Sequence, residues 1–417
     1  MDTFEKYESN VRSYCRKFTD TFETAKGSVI TDKNGKTHLD FFAGAGALNY
    51  GHANPDIIDP VVEYIKNGGI IHALDMHTTA KEAFIESFEE NILKPRGMNH
   101  KIMFCGPTGT NAVESALKLA RKNTGRRGIF AFSGGFHGMT MGSMSVTSDS
   151  AIRNSAGVPL YNTTYLPYPS KEYAGFDTIA YMEAIMNDDH SGIDKPAAVI
   201  LETVQAEGGI NVAPIEFLQK LRAFCDKYGI LLICDEIQIG CWRTGPFFSF
   251  DRAGIVPDMR PLSQSISGGG FPMALMIVRP ELDIFTPGEH NGTFRGFNPA
   301  FVGAKAAIEF SMKNDMTAMV ERKHKLMSER MNELSEFDGR LAVRGIGMIV
   351  GIDFAGIKDG IAKECCHKCY ENGLIIELAG RRDNVLKLMP PLTTPDDQIE
   401  QGCDIIVNTV KEVIKSL

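Results

Sequence analysis

The sequence predicts an α/β fold with a large mixed-sheet domain and a smaller α+β domain. Its 417 residues exceed what one ordinary hydrophobic core holds. Short, continuously apolar runs such as "ILLICDEI" alternate with amphipathic patterns such as "FLQKLRAFCDKYG", which is typical of a sheet covered by helices on both faces. After about residue 300 long helical patterns replace this alternation. We therefore expect an N-terminal segment (1–50) that joins the small domain and a site loop, a large domain (51–300) and a small domain (301–417).

The elements follow in chain order from local patterns. Near the start, "KNGK" between apolar runs predicts a β-hairpin. In the middle of the chain, buried strands are predicted at "KIMFCG", "GIFAFSG", "AAVILETV", "ILLICDEI" and "MALMIV". Toward the end, short strands at "GMIVGIDF", "LIIEL" and "VLKLMPP" alternate with helices, which indicates the α+β domain.

Composition excludes several classes of function. The formal net charge of −8 argues against a nucleic-acid-binding protein, which needs clustered Lys and Arg. We expect no membrane association, because no apolar run approaches the roughly 18 residues needed to span a bilayer. The start lacks the apolar core of a secretory signal, and the nine cysteines form no disulfide framework. These features favour a cytoplasmic protein.

One cysteine-rich stretch, "ECCHKCY", contains Cys365, Cys366, His367 and Cys369. Zinc sites usually show two separated pairs of ligands, whereas this stretch lies within one helical pattern. Free cysteine often behaves as a small buried hydrophobe. We therefore expect these cysteines to face the core, and we expect no metal site.

Two turns at predicted strand ends carry residues suited to a phosphorylated, flat ligand. Gly109 and Thr110 lie at a strand-to-helix turn, where small residues and a helix N-terminus favour an anion. Phe136 and His137 follow the next strand, where an aromatic side chain can stack on a flat ring. Alone, the first turn fits an ordinary tight turn capped by Thr110 equally well, and Phe136 alone is more often a core residue.

The run "ILLICDEIQIG" gives a sharper signal. Five apolar residues precede Asp235 and Glu236, and Gln238 follows. Charged residues at the end of a buried strand are seldom structural, and ligands of α/β sheets bind at the carboxyl ends of strands. A carboxylate there suits a pyridinium nitrogen, whose protonation makes the ring an electron sink.

Taken together, these segments resemble the fold-type I pyridoxal 5′-phosphate (PLP) enzymes, in particular the class III (ω-amino acid) aminotransferases of the diaminobutyrate–2-oxoglutarate group. The resemblance covers nearly the whole chain and is carried by "GPTGTNAVESALKLARK", "GGFHGMT", "ETVQAEGGINVA", "NGTFRG" and "LKLMPPLT". It implies PLP as cofactor and transfer of an ω-amino group between a 2,4-diaminobutyrate-like amino acid and 2-oxoglutarate or glutamate. It also implies a homodimer with shared active sites.

The resemblance assigns roles by position. The implied cofactor contacts are Gly109 and Thr110 to the phosphate, Thr293 to the phosphate of the neighbouring subunit, Phe136 and His137 at the ring, Asp235 to the ring nitrogen and Gln238 to the ring hydroxyl. The implied substrate contacts are Glu207 and Lys387, with Asn49 and Tyr50 in the loop 44–50. Trp242 stands where the family usually has glycine, so it either packs at a domain or subunit interface or reshapes the substrate pocket. Asp235, Glu207 and the residue at position 264 form the implied catalytic set.

The lysine of this family aligns with Gln264, in "LSQSISGGG". That lysine bonds the cofactor and then moves a proton on the substrate. An amide nitrogen has no basic lone pair and does neither, and loss of a positioned general base costs about 10²–10⁴-fold in rate. We therefore expect a non-covalent cofactor, present as PLP, pyridoxamine phosphate or an external aldimine with an amino acid.

Several departures from the family pattern cluster near Gln264: Glu236, Arg260, Pro261, Ala206 and Trp242. Their clustering favours natural divergence over a single introduced change. Three hypotheses stay open. The chain is an impaired diaminobutyrate-type transaminase, or a PLP enzyme with altered chemistry (elimination, replacement or bond formation) in which His137 or Glu207 moves the proton. Alternatively, it is a non-catalytic PLP-binding homologue.

Overall fold

In the computed structural model, which describes residues 3–417, the chain forms one seven-stranded sheet, two four-stranded sheets and a two-stranded ribbon. The strands are β1 (Phe22–Lys26), β2 (Val29–Asp32), β3 (Thr37–Asp40), β4 (Lys101–Gly106), β5 (Ile129–Phe132), β6 (Thr163–Leu166), β7 (Ala198–Leu201), β8 (Val204–Gln205), β9 (Asn211–Val212), β10 (Leu231–Cys234), β11 (Met259–Ser263), β12 (Ala274–Val278), β13 (Ala342–Ile346), β14 (Ile349–Asp353), β15 (Leu374–Ile375), β16 (Glu377–Ala379) and β17 (Val385–Leu388).

Thirteen α-helices are assigned within the described residues, beside shorter 3₁₀ and π turns. They are α1 (Thr3–Tyr7), α2 (Ala43–Gly46), α3 (Pro55–Lys66), α4 (Thr79–Phe88), α5 (Gly109–Thr124), α6 (Met141–Val146), α7 (Ser150–Asn154), α8 (Thr178–Asn187), α9 (Ile215–Tyr228), α10 (Asn298–Lys313), α11 (Met316–Phe337), α12 (Ile361–Glu371) and α13 (Asp396–Lys415). No helix among residues 3–417 is both long enough and apolar enough to cross a membrane.

The large sheet has the strand order β4-β12-β11-β10-β7-β5-β6. Strand β12 is antiparallel to both of its neighbours, and the other pairs are parallel. The predicted α/β fold with a mixed sheet is therefore confirmed. Because β4, β5, β7, β10 and β11 all run in one direction, their carboxyl ends share one edge of the sheet.

Both faces of this sheet are buried, which explains the continuously apolar strands. Alternate residues of β10 enter opposite cores, with Leu232 in one and Ile233 in the other. The buried face of α5 covers the second core. Strand β11 contains Pro261, which has no N–H to donate to a neighbouring strand. Strands β10 and β11 are paired at one position only, Ile233 with Met259.

The first and last parts of the chain form joint structures. Strands β2 and β3 make the antiparallel hairpin predicted from "KNGK", and β3 also pairs in parallel with β15. A second sheet, β13-β14-β17-β16, packs in a separate core with α11, α12 and α13. Cys365, Cys366 and Cys369 of α12 are buried in this core, whereas His367 is exposed.

Candidate active site

A cleft opens at the edge of the large sheet where the parallel strands end. Most of the residues predicted for cofactor and catalysis line it. The lining consists of Gly109, Thr110, Phe136, His137, Gly138, Glu202, Glu207, Asp235, Ile237, Gln238, Ile239 and Gln264. Among the described residues, the lining includes no lysine and no arginine.

The mouth of the cleft is a helix N-terminus. Thr108 caps α5 through a reciprocal interaction with Asn111, and the first N–H groups of a helix have no partner within it. The turn is closely packed, since a Cβ on Gly109 would lie 2.8 Å from Ile237 and one on Gly138 would lie 2.6 Å from Thr110 Oγ1. The arrangement leaves room and N–H donors for an anion.

The floor of the cleft is a buried Asp–His pair. Asp235 directly follows β10, and its Oδ2 lies 2.8 Å from Nδ1 of His137. Its other oxygen accepts the N–H of Ile237 at 3.0 Å. Burial opposes a charge on His137, but the hydrogen bond and negative charge of Asp235 outweigh it and raise the pKa of the imidazole. The carboxylate is thereby held in a fixed orientation at the floor.

A second buried acid, Glu202, is not among the residues predicted from the sequence, although it directly follows β7 and begins the segment "ETVQAEGG". Its two oxygens accept the N–H groups of Phe136 at 3.0 Å and Ala206 at 3.2 Å. Burial raises the pKa of Glu202 to about 7, with the charge of His137 opposing the rise and that of Asp235 adding to it. The side chain orients the backbone that presents Phe136.

Gln238 lies between the floor and the outer wall of the cleft, which is formed by Glu207 and its partner Lys387. Its Nε2 donates to the carbonyl of Ala45 at 2.9 Å and to Oε1 of Glu207 at 3.2 Å. Its own Oε1 is buried and has no hydrogen-bond partner among the described residues. A buried acceptor without a partner is costly, so this atom marks a place where a ligand hydroxyl fits.

Lys387 is enclosed by two carboxylates. It is 1% exposed, and its Nζ lies 2.5 Å from Glu207 and 2.9 Å from Glu377. Burial disfavours the ammonium, but the two glutamates outweigh it and raise the pKa of Lys387. Glu207 remains partly exposed to the cleft. The cation expected to meet a substrate carboxylate is thus already neutralised in this structure.

Gln264 begins the turn after β11 and lines the cleft, with a φ of +55°. With its amide nitrogen turned inward, the side chain donates to the carbonyls of Ala45 at 3.0 Å and Ile237 at 3.2 Å. The nitrogen orientation is the one that satisfies both carbonyls. The amide of Gln264 is therefore bonded to the protein backbone.

The segment 43–49 forms the wall of the cleft that contacts Gln264. It begins with the unusual turn α2, in which four consecutive residues have positive φ. The values are +49° for Ala43, +58° for Gly44, +57° for Ala45 and +89° for Gly46. Left-handed backbone costs an alanine about 1–2 kcal/mol. The turn is held at its start by Asp40, whose Oδ1 accepts the N–H of Ala43 at 2.8 Å.

Three predicted substrate contacts lie elsewhere. Asn49 and Tyr50 are buried and are not among the residues that line the cleft. Asn49 Nδ2 donates to the carbonyl of Cys241 at 2.8 Å, and its Oδ1 accepts from the buried guanidinium of Arg243 at 2.5 Å. Trp242 packs between the two main cores instead of lining the cleft, with a φ of +73°.

Thr293, predicted to reach the neighbouring subunit, is also remote from the cleft lining of its own chain. It is exposed, in a short helical turn (Thr293–Arg295), and its carbonyl lies 2.7 Å from Nε2 of His72. The cross-subunit contact stays a prediction.

Two of the unusual neighbours of Gln264 lie behind the floor. Glu236 is fully buried, and its carboxylate accepts from the N–H of Ser249 at 2.7 Å and from the hydroxyl of Ser249 at 2.5 Å. Burial raises the pKa of Glu236 to about 8, with the Ser249 hydrogen bonds opposing the rise. Arg260 is fully buried with its guanidinium 5.5 Å from the ring centre of Phe250.

Comparisons with known proteins agree with this geometry. The family described as aminotransferase class-III matches residues 14–410. A diaminobutyrate–2-oxoglutarate transaminase of Nocardia farcinica is 49% identical over 99% of this chain and 94% of its own length. One of Halalkalibacterium halodurans is 48% identical over 100% and 97%. In fold, an ornithine aminotransferase of Toxoplasma gondii (22% identical, covering 99% of this chain and 94% of its own) has a TM-score of 0.85.

Proposed function

Since the chain belongs to the class III aminotransferases, a family of PLP-dependent enzymes, we propose that it binds this cofactor without a covalent bond to the protein. Its ordinary transamination is then strongly slowed. The observation that supports the proposal is the cleft lining, which brings together the residues predicted to contact the cofactor, except Thr293, but presents Gln264 where the family pattern has its lysine. No lysine occurs between Lys227 and Lys305.

The residues of the cleft fit the cofactor. The N-terminus of α5 suits the phosphate, and Phe136 suits one face of the ring. The carboxylate of Asp235 suits a protonated ring nitrogen, and its hydrogen bond to His137 keeps it in place. The buried Oε1 of Gln238, which has no partner among residues 3–417, suits the ring hydroxyl. When bound, PLP supplies an electron sink for carbanion chemistry.

The substrate we propose is a diamino acid of the 2,4-diaminobutyrate type, with 2-oxoglutarate as amino acceptor. Two relatives at 48–49% identity bear that activity in their names. Glu207 is partly exposed to the cleft and can meet an ammonium group of the substrate, since the lining includes no lysine or arginine among the described residues. Glu207 also contacts the outer wall, through Lys387.

The acids of the cleft are not free to replace the missing lysine, and His137 has one ring nitrogen committed. Nδ1 of His137 is bonded to Asp235 at the floor, whereas its buried Nε2 has no partner among the described residues, and Glu207 is paired with Lys387. Glu202 accepts two backbone N–H groups. Since Glu202 and Glu207 hold other partners and Asp235 holds the His137 ring at the floor, we favour impaired transamination over a new reaction that uses His137 or Glu207 as the base.

The test compares the wild type with Gln264→Lys. Both proteins are loaded with PLP, reduced with borohydride and measured by intact mass. We expect a cofactor adduct on the variant and none on the wild type. Single-turnover conversion of bound PLP by 2,4-diaminobutyrate should be about 10²–10⁴-fold slower in the wild type. A covalent adduct on the wild type, or equal rates, would sink the proposal.

We further propose a homodimer formed through an exposed apolar surface. Ile70, Ile71, Leu74, Met76 and Phe294 are large and exposed, and backbone bonds join their two segments, with Asn298 N–H donating to the carbonyl of Ile71 at 2.9 Å. Exposed apolar clusters of this kind mark protein interfaces. Thr293 lies on the same surface.

The oligomeric state tests this surface. By sedimentation, the wild type should be a dimer, and Phe294→Asp should weaken the dimer at least about tenfold. Tyr161→Asp, at another exposed aromatic position, is the matched control and should leave the dimer intact. A wild-type monomer, or a Phe294→Asp variant as dimeric as the control, would contradict the assignment.

A further inference from the structure

We propose that Gln264 is a positioning residue: its carboxamide holds the left-handed turn α2 against the floor of the cleft, at the position where the family pattern places a cofactor-bonding amine. These bonds lie within the protein itself and are the same whichever substrate or reaction the cleft supports.

The amide uses both of its N–H groups on the backbone. One carbonyl belongs to Ala45, in the middle of the turn, and the other to Ile237, directly beyond the end of β10 and Asp235. Gln264 thus joins the N-terminal segment to the floor of the large domain. A planar NH₂ group with two diverging N–H bonds is suited to such bridging.

The turn meets Gln264 at close range. A Cβ added to Gly46 would lie 3.2 Å from the terminal amide atom of Gln264 that faces it, which is the nitrogen in this orientation, and 3.2 Å from Cγ of Gln238. Gln238 donates to the same carbonyl of Ala45, at 2.9 Å. The two glutamines therefore act together on one carbonyl, and a side chain at position 46 would push them apart.

The residue after Gln264 extends the same contact. The hydroxyl of Ser265 donates to the carbonyl of Gly46 at 2.6 Å and accepts the N–H of Asn49 at 3.1 Å. Residues 264 and 265 thereby contact both ends of the segment 45–49. This density of bonds explains how a turn with two left-handed alanines persists.

A lysine at this position could not perform the same task while bonded to the cofactor, because its nitrogen would then be committed to the ligand. The amide needs no ligand to form its bonds. It follows that in this chain the wall 43–49 is fixed whether or not the cofactor is bound.

Hydrogen–deuterium exchange tests the inference on the full-length protein, with and without added PLP. The reporters are the amides of Ala47, Leu48 and Asn49, which are bonded within the segment or to Ser265. In the wild type their exchange should be slow in both conditions. In Gln264→Met, which keeps the length but loses both donors, it should rise about tenfold or more.

The matched control is Gln219→Met. Gln219 also donates its amide to a backbone carbonyl, that of Ala253 at 3.0 Å, but far from the cleft. The control should leave the reporter amides unchanged. Unchanged exchange in Gln264→Met would overturn the inference, as would equal acceleration by the control.

A second variant keeps the test decisive if Gln264→Met does not fold. In Gln264→Lys, added PLP should accelerate exchange at 47–49, because the lysine nitrogen is then withdrawn from the wall. Added PLP should not accelerate it in the wild type. Acceleration in the wild type, or none in Gln264→Lys once its adduct is confirmed by mass, would overturn the inference. The adduct measurement separates this failure from a failure of the proposed cofactor chemistry.

Discussion

Replacing Lys387 by methionine should reveal how strongly the buried cation stabilises the protein. Methionine keeps much of the side-chain volume and removes the charge. Glu207 is partly exposed and keeps its bond from Gln238, so it can turn toward water. Glu377 is 5% exposed at its side chain and cannot. The variant therefore leaves one carboxylate buried without its cation.

Breaking a buried ion pair from one side costs about 3–5 kcal/mol. For a chain of 417 residues, this corresponds to a drop in Tm of about 3–6 °C. The pH dependence has a definite sign. Burial raises the pKa of Glu377 and the charge of Lys387 opposes that rise, so the variant raises it further. The acid is then neutral at low pH, and the loss of stability should be larger at pH 8 than at pH 5.

Thermal unfolding followed by circular dichroism, at both pH values, measures these differences. The double variant Lys387→Met/Glu377→Gln should regain most of the loss, because no buried charge remains. Lys411→Met removes a more exposed pair, with Glu333 at 3.6 Å, and should cost no more than about 1 kcal/mol. A Tm for Lys387→Met equal to that of Lys411→Met at pH 8 would refute the reasoning.

Three further predictions concern Glu236 behind the floor of the cleft, Trp242 between the two main cores, and Gly138 at the mouth of the cleft. The pKa of Glu236 is raised from 4.5 to about 8 in the folded protein, so the wild type loses stability as the pH rises from 4.5 to 8. Glu236→Gln, which can still bond Ser249, should therefore have a higher Tm than the wild type at pH 8.5 but not at pH 4. A Tm difference that is the same at both pH values would contradict this prediction. Trp242→Gly relieves about 1 kcal/mol of left-handed strain but loses aromatic packing worth about 3–5 kcal/mol, so its Tm should fall; a rise would contradict the packing account. Gly138→Ala places a Cβ 2.6 Å from Thr110 Oγ1 at a φ of +120° and should weaken PLP binding at least about tenfold in an absorbance titration; unchanged affinity would show that the turn is not the phosphate site.

The site residues that follow the strands could be predicted from the sequence, because buried strands are recognisable as apolar runs. Once "ILLIC" is a parallel strand, the next residue, Asp235, must lie at the ligand edge of the sheet. The same argument applies to Phe136, which follows β5. Glu202 also stands at a strand end, but its role depends on the N–H groups of residues 136 and 206, and pattern alone does not bring those together.

Contacts between distant segments could not be predicted in this way. The pairing of Lys387 with Glu377 depends on the register of β16 against β17, which a single sequence does not reveal. Asn49 was expected in the cleft because its loop is near the cofactor site in the family. Its actual position depends on Arg243, 194 residues away in sequence, and on a left-handed turn that contains two alanines, residues for which that backbone is uncommon.

The parallel pairing of β3 with β15 has a consequence for the order in which the protein can be completed during synthesis. Leu39 and Asp40 pair with Leu374 and Ile375, so the first fifty residues emerge from the ribosome long before their sheet partner exists. Phe41, fully buried in the finished protein, stays uncovered through that interval. Contacts so distant in sequence form late, and exposed apolar segments invite aggregation meanwhile. The nascent chain is therefore most vulnerable at its beginning, and shielding there should govern its yield.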